Sequence, residues 1–171
     1  IWGIALGVAA TYIVLFIIFG AFAEKAGVAE FFIDFSNSIA GHTMGGPAKV
    51  AIFSSALIGS VTGSTVANVY TTGQFTIPMM KRLGYKPSIA GAIEALASNG
   101  GQVMPPIMGA AAFILAAYSG VPYVEVAIAS LIPALLYFGG LFWFIHLEAH
   151  KTGLVGIPVE EKPSIIKVLL K

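Results

Sequence analysis

From Val50 to Met80 the chain carries no charge. A helix that crosses a bilayer needs about 20 mostly apolar residues for roughly 30 Å of hydrocarbon, so this run is too long for one upright span and too short for two. It is also seamed. Val50–Ile58 is apolar, Gly59-Ser60-Val61-Thr62-Gly63-Ser64-Thr65 follows, and apolar residues resume as far as Ile77-Pro78-Met79-Met80. At about 1.5 Å rise per residue, the arms Pro47–Gly59 and Val66–Met80 reach roughly 20 to 22 Å each. Two short arms around a small polar seam predict a re-entrant helical hairpin over 47–82, turning at mid-depth and leaving by the side it entered.

Composition supports a membrane setting. Of 171 residues, 57% are hydrophobic and 10% charged, whereas a soluble domain carries about 25% charged residues. An ordinary cytosolic enzyme is excluded on that ground, and so is a disordered chain, which needs few apolar residues and much charge. The net charge of +1 comes with no basic stripe, so nucleic acid is not an expected partner. Cysteine is absent, which removes thiolate metal sites and thiol nucleophiles. The chain opens at Ile1 inside an apolar run and reads as a piece of a longer polypeptide.

Four further segments follow from the same arithmetic. Residues 1–23 and 122–147 each fit one transmembrane helix, the second closed by His146 and Glu148. Over 24–46, Val28, Phe31, Phe32, Phe35 and Ile39 recur at helical spacing opposite polar residues, which predicts an amphipathic interfacial helix, with a solvated connector helix between domains as the alternative. Residues 86–119 are too long for a simple span and contain Asn99-Gly100-Gly101-Gln102-Val103-Met104-Pro105-Pro106. Consecutive prolines cannot continue a helix, so two half-helices meeting at mid-membrane are expected. With a hairpin at 47–82, all the basic residues (Lys25, Lys49, Lys81, Arg82, Lys86, Lys151, Lys162, Lys167 and Lys171) share one side with the 148–171 tail, which the positive-inside rule makes cytoplasmic.

Chemistry concentrates at the hairpin seam and the helix break. Half-helix ends meeting in the membrane supply N–H groups suited to an anion and carbonyls suited to a cation. Ser60, Thr62, Gly63, Ser64 and Asn68 at the tip, with Asn99, Gly100 and Gly101 at the break, are the candidate ion and substrate ligands. Pro105 and Pro106 are the residues that hold the break open. Glu94, one and a half turns before Asn99, is a candidate coupling acid or a protonated acid bonded to a neighbouring helix, because an intramembrane carboxyl is expensive unless protonated, paired or wet; hairpin hydroxyls or residues outside this segment are its expected partners. The pair His146 and His150 brackets Glu148 as H-x-E-x-H, which is not a zinc-protease motif and reads as interface anchoring. Trp2, Tyr12, Tyr137 and Trp143 read as belt or packing aromatics. No nucleophile–base pair or nucleotide-binding loop is visible, so an enzyme is not expected. An ion channel and a non-transporting membrane scaffold are the alternatives to a transporter.

Taken in order, Gly45-Gly46-Pro47-Ala48, Gly59–Asn68, Ile77-Pro78-Met79-Met80-Lys81-Arg82-Leu83-Gly84-Tyr85, Gly100–Pro106 and Ile132-Pro133-Ala134 resemble the large membrane (M) subunit of tripartite ATP-independent periplasmic (TRAP) transporters. The chain is most similar to the fused permeases that work with TAXI-type periplasmic binding proteins. Asn68 stands where many relatives have Asp, and Met104 where many have Ile. The resemblance implies an all-α fold holding one inverted repeat of an elevator-type permease, in the bacterial or archaeal cytoplasmic (inner) membrane. It implies symport of a small organic anion such as a C4-dicarboxylate, delivered by a periplasmic binding protein. Na⁺ or H⁺ is the implied coupling ion, and a small membrane subunit, separate or fused, the implied partner. Residues 24–46 would be the arm between scaffold and moving domain.

Overall fold

The computed structural model describes residues 2–158 and residue 168. Lys162, Lys167 and Lys171, and the side chain of Trp2, lie outside the described part of the chain. The elements are α1 (Trp2–Val8), a π-helical turn (Ala9–Ile13), α2 (Val14–Lys25), α3 (Val28–Ala40), α4 (Gly46–Thr62), α5 (Thr65–Arg82), α6 (Pro87–Gly100), α7 (Ala110–Ser119) and α8 (Tyr123–Thr152). Among the described residues there is no strand. Leu6–Lys25 and α8 are each long and apolar enough to cross a membrane.

Residues 46–82 fold as a helical hairpin. Its two arms are antiparallel, since Ser55 faces Thr72 across the pair while Gly59 lies against Asn68. Only Gly63 and Ser64 leave the helix, so the turn is tighter than the expected seam of Gly59–Thr65. The cause is local: Ser60 Oγ and Thr62 Oγ1 donate to Leu57 O and Ile58 O at 2.7 and 3.1 Å, which satisfies both hydroxyls without breaking the helix. The arms are therefore 17 and 18 residues long, about 26 Å each and nearly a turn longer than the sequence suggested.

The break is also displaced from its expected place. Asn99 and Gly100 complete the last turn of α6, and the non-helical stretch runs from Gly101 to Gly109, with a cis bond between Pro105 and Pro106. At the far end, α8 does not stop at Leu147 but continues through Glu148 and His150 to Thr152. Gly153, at φ 68°, terminates it.

Around the hairpin the other elements form a partial sheath. α3 runs back along α4, from Val28 beside Ile58 and Val61 to Gly41 beside Gly46. The face it buries is small and polar, Ser36, Ser38 and Ala40, whereas the expected apolar stripe is half-buried and Ile39 is exposed. The α1–α2 helix crosses the tip, where Gly20 approaches Thr62. Phe113 of α7 stacks on Tyr123 of α8 with ring centroids 4.3 Å apart and meets Phe16 of α2 at 5.0 Å. The apolar core, Ala48, Ala51, Ile52, Met80, Ala90, Ile93, Ala97, Phe138 and Ile145 among others, binds hairpin, α6 and α8 together.

The base of the hairpin gathers most of the basic residues. Gly45 N donates to Leu154 O at 3.3 Å, and Leu154 also packs at Gly84, so the end of α8, the start of α4 and the α5–α6 loop lie together. Lys49, Lys81, Arg82, Lys86 and Lys151 belong to these segments. Lys25 does not: its neighbour Glu24 accepts from Thr71, partway along α5, at 3.0 Å. Lys49 is buried, with Nζ 3.2 Å from His146 Nδ1 and 4.9 Å from the centre of the Phe142 ring. His146 thus ties α8 to the hairpin base in addition to any anchoring role.

Tyr85, in the loop between α5 and α6, is buried with its hydroxyl unpaired, and burial pushes the phenol up to about 12. An unpaired buried hydroxyl costs about 1–3 kcal/mol. Tyr85→Phe is accordingly expected to raise the thermal stability of the purified protein by about 1 kcal/mol, and a lowered midpoint would show that the hydroxyl has a partner.

Candidate functional site

The tip of the hairpin and the break in α6–α7 are in direct contact. Ile107 N donates to Ser60 O at 3.1 Å, and Gln102 Nε2 donates to Thr65 Oγ1. Gly59 and Gly101 cross backbone to backbone, and a Cβ on Gly101 would lie 2.7 Å from the Gly59 Cα. Gly63, at φ 62°, sits against the carbonyl oxygen of Met108, itself a residue of positive φ. Beside this junction opens a cleft of about 350 Å³, lined on one wall by Thr62, Gly63, Ser64, Thr65 and Gln102, and on the other by Ile13, Phe16 and Ile17.

Helix ends converge on that cleft. α5 begins at Thr65 and α7 at Ala110, so two N-termini point their positive ends there, although Ala67 N is capped by Ser64 and Ala112 N bonds Gly109 O. The C-terminus of α4, at Thr62 and Gly63, brings carbonyls of opposite polarity to the same place. An anion and a cation can therefore be held side by side without charged side chains.

The residues expected at the site divide into two groups. Thr62, Gly63 and Ser64 line the cleft. Ser64 also caps α5, accepting from Ala67 N at 3.3 Å, so its oxygen already has a structural task. The others stand back from it. Ser60 donates to its own helix, and Asn68 is fully buried, with Nδ2 donating to Ser55 O at 2.8 Å and Oδ1 unpaired. Asn99 is exposed, and Gly100 is covered by Tyr137 and Phe138. The carbonyls of Asn99, Gly100 and Gly101 accept from Gln102, Val103 and Met104 N–H groups at 3.2, 3.0 and 3.3 Å. Each thus keeps only one lone pair for an ion, because the chain turns on itself rather than opening. Pro105 and Pro106 lie in the break, where the Pro106 carbonyl accepts from Tyr123 Oη at 3.0 Å. Ile107 O also lies within reach of the same hydroxyl, whose one proton serves one carbonyl at a time, a contact that the sequence pattern did not single out.

Glu94 is fully buried and ringed by hydroxyls: Thr72 and Thr76 of α5 meet its two carboxyl oxygens, and Ser98 lies 3.2 Å from Oε1. The sequence offers hairpin hydroxyls or residues outside this segment as partners and names neither. Thr72 and Thr76 are one turn apart, as are Glu94 and Ser98, which puts each pair on one helix face but does not bring the two faces together.

Comparison with known proteins fits this arrangement. Residues 4–171 match the profile of the tripartite ATP-independent periplasmic transporter DctM component. The chain is 32% identical over 143 residues, 84% of its length, to the C4-dicarboxylate TRAP transporter large permease protein DctM of Pseudomonas aeruginosa, and covers 33% of that protein. It is 29% identical to the sialic acid TRAP transporter permease protein SiaT of Haemophilus influenzae, over 84% of the chain and 23% of that protein. The sialic acid TRAP transporter large permease protein SiaM of Vibrio cholerae is 27% identical over 90% of the chain, which covers 36% of it. The chain thus spans about a third or less of these relatives. It belongs to the DctM component family, the large membrane subunit of tripartite ATP-independent periplasmic transporters.

Proposed function

We propose that this segment carries one hairpin and one broken helix of a cation-driven importer, which takes up a small organic anion handed over by a periplasmic binding protein. The observation that carries the reading is the docking of the polar tip on the break beside a cleft where two helix N-termini and one helix C-terminus meet. N–H groups of α5 and α7 would hold a carboxylate, and the carbonyls at the end of α4 with Thr62 and Ser64 would face a cation, Na⁺ or H⁺. The amide oxygen of Asn68 is buried and unpaired behind the tip. A carboxylate substrate agrees with the names of the relatives, a C4-dicarboxylate in one and sialic acid in two.

In this reading the hairpin, the broken helix and the part of α8 packed on them move as one elevator body. Its first structural support is the shared apolar core of α4, α5, α6 and α8. The α1–α2 helix belongs to the scaffold, and α3 is the arm between them. The hairpin is re-entrant in the cytoplasmic (inner) membrane, with its base on the cytoplasmic side, where Lys49, Lys81, Arg82, Lys86 and Lys151 collect. The small membrane subunit, separate or fused, and a TAXI-type binding protein complete the assembly.

The test is uptake by the full-length permease in proteoliposomes, with labelled succinate and sialic acid as first probes and its binding protein supplied outside. Accumulation that requires both the binding protein and an inward cation gradient is expected. Ion flux that needs neither would identify a channel and overturn the reading.

A further inference from the structure

The carboxyl of Glu94 is fully buried, and the hydrogen-bond contacts around it outnumber the hydroxyl protons that could make them. Thr72 Oγ1 lies between Asn68 O, at 2.7 Å, and Glu94 Oε1. Thr76 Oγ1 lies between Thr72 O, at 3.0 Å, and Glu94 Oε2. Ser98 Oγ reaches Oε1, and Ser55 Oγ stands 3.4 Å from Thr72 Oγ1. A hydroxyl has one proton to donate, so Thr72 and Thr76 cannot each serve both a carbonyl and a carboxylate. A proton on Oε2 resolves this at Thr76: the acid donates to Thr76 Oγ1, which passes its own proton to Thr72 O. Thr72 and Ser98 then donate to Oε1.

The cage also serves the anion. If the proton leaves, Thr76 rotates from the Thr72 carbonyl to Oε2, and the carboxylate receives donors from Thr72, Thr76 and Ser98. The same hydroxyls can serve either state, because each can donate or accept. The groups facing it are hydroxyls, with the Cα of Gly73 closing one side. The charged groups of the packed elements sit at helix ends instead: Lys49 on α4, turned to His146; Lys81 and Arg82 on α5; Lys86 before α6; and on α8 Glu125, with His146, Glu148, His150 and Lys151. Glu24 of α2 bonds Thr71, the neighbour of Thr72. With no opposite charge in the cage to stabilise the anion, this packing favours the neutral acid, and release of the proton would need hydration.

We propose that Glu94 is an exchangeable proton site, and that the cation coupled through this half-site is H⁺. The inference rests on the transport reading above and adds the identity of the ion. The step is a protonation: an O–H bond forms at Oε2 with a proton taken from water on the outer side, and breaks when the moved cage is wetted on the inner side.

Two measurements decide it. The first needs no substrate: infrared difference spectra of the full-length permease across a pH series, in H₂O and D₂O. A carboxylic C=O band that titrates, shifts in D₂O and is missing from Glu94→Gln is expected. A band that stays constant over the pH range identifies a structural acid and overturns the proposal. The second is uptake of whichever labelled acid the proteoliposomes accept. Each pH unit of gradient supports about tenfold accumulation per proton. Wild-type protein should follow that gradient, and Glu94→Gln, which mimics the neutral acid, should retain exchange of internal for external substrate while losing pH-driven accumulation. Unaltered pH-driven accumulation in Glu94→Gln, or wild-type accumulation driven by Na⁺ at equal pH, overturns the proposal. Failure of the wild type to transport at all would count against the transport reading alone, because the infrared titration still decides the proton site. If Glu94→Gln does not fold, Glu94→Asp supplies the shifted band.

Discussion

Gly101→Val in the full-length permease should lower thermal stability by about 3 kcal/mol and bring uptake to background. The argument is geometric. A Cβ at Gly101 would stand 2.7 Å from the Gly59 Cα, 3.0 Å from Asn68 Nδ2 and 3.1 Å from Ser98 O. The first and last of these are backbone atoms, so no rotation of a side chain relieves the contact. The hairpin must move off the break, and with it go the Ile107–Ser60 bond and the cleft beside it. Gly59→Val should have the same effect for the reciprocal reason. Once either valine has parted the helices, the second meets open space, so the double variant should be more stable than additivity predicts by well over about 0.5 kcal/mol. Additive losses, or uptake that survives either valine, would mean that the crossing is not maintained in the working protein.

The same crossing shows what could be read in the sequence and what could not. A charge-free run with a Gly/Ser/Thr seam located the hairpin, because bilayer thickness leaves few ways to fold such a length. Consecutive glycines and prolines located the break, because helices cannot pass through them. What pattern alone missed was where each hydroxyl sends its proton. Ser60 and Thr62 look like turn residues, yet their back-bonds to Leu57 and Ile58 keep them helical and carry the turn out to Gly63. His146 and Glu148 look like the end of a span, yet α8 continues past them because His146 faces Lys49 across the hairpin base. Glu94 was recognisable as a costly carboxyl, but its partners depended on the register of α5 against α6, which brings Thr72 and Thr76 opposite it. Registers between helices are set by packing of many small residues, and no local spacing encodes them.

A second pair of glycines separates backbone strain from collision. Gly63 has φ 62° and Gly120 has φ 68°, so both occupy the left-handed region, where an L side chain costs roughly 1–2 kcal/mol and asparagine pays least. Their surroundings differ. A Cβ at Gly120 meets nothing within 4 Å, whereas at Gly63 it would run into the carbonyl oxygen of Met108, the residue that brings the break up to the tip. At Gly120, alanine should destabilise by about 1 kcal/mol, asparagine by less, and both should leave uptake near the wild-type level. At Gly63, alanine and asparagine should be equally damaging, with loss of about 3 kcal/mol or more and no uptake, because relief of φ strain does not remove the collision. Rescue of Gly63 by asparagine would show that the turn needs only its backbone angle and that the tip does not press on Met108. The joint between hairpin and break would then be looser than the cleft requires, and a substrate held by the N-termini of α5 and α7 would lose its fixed distance from the α4 carbonyls.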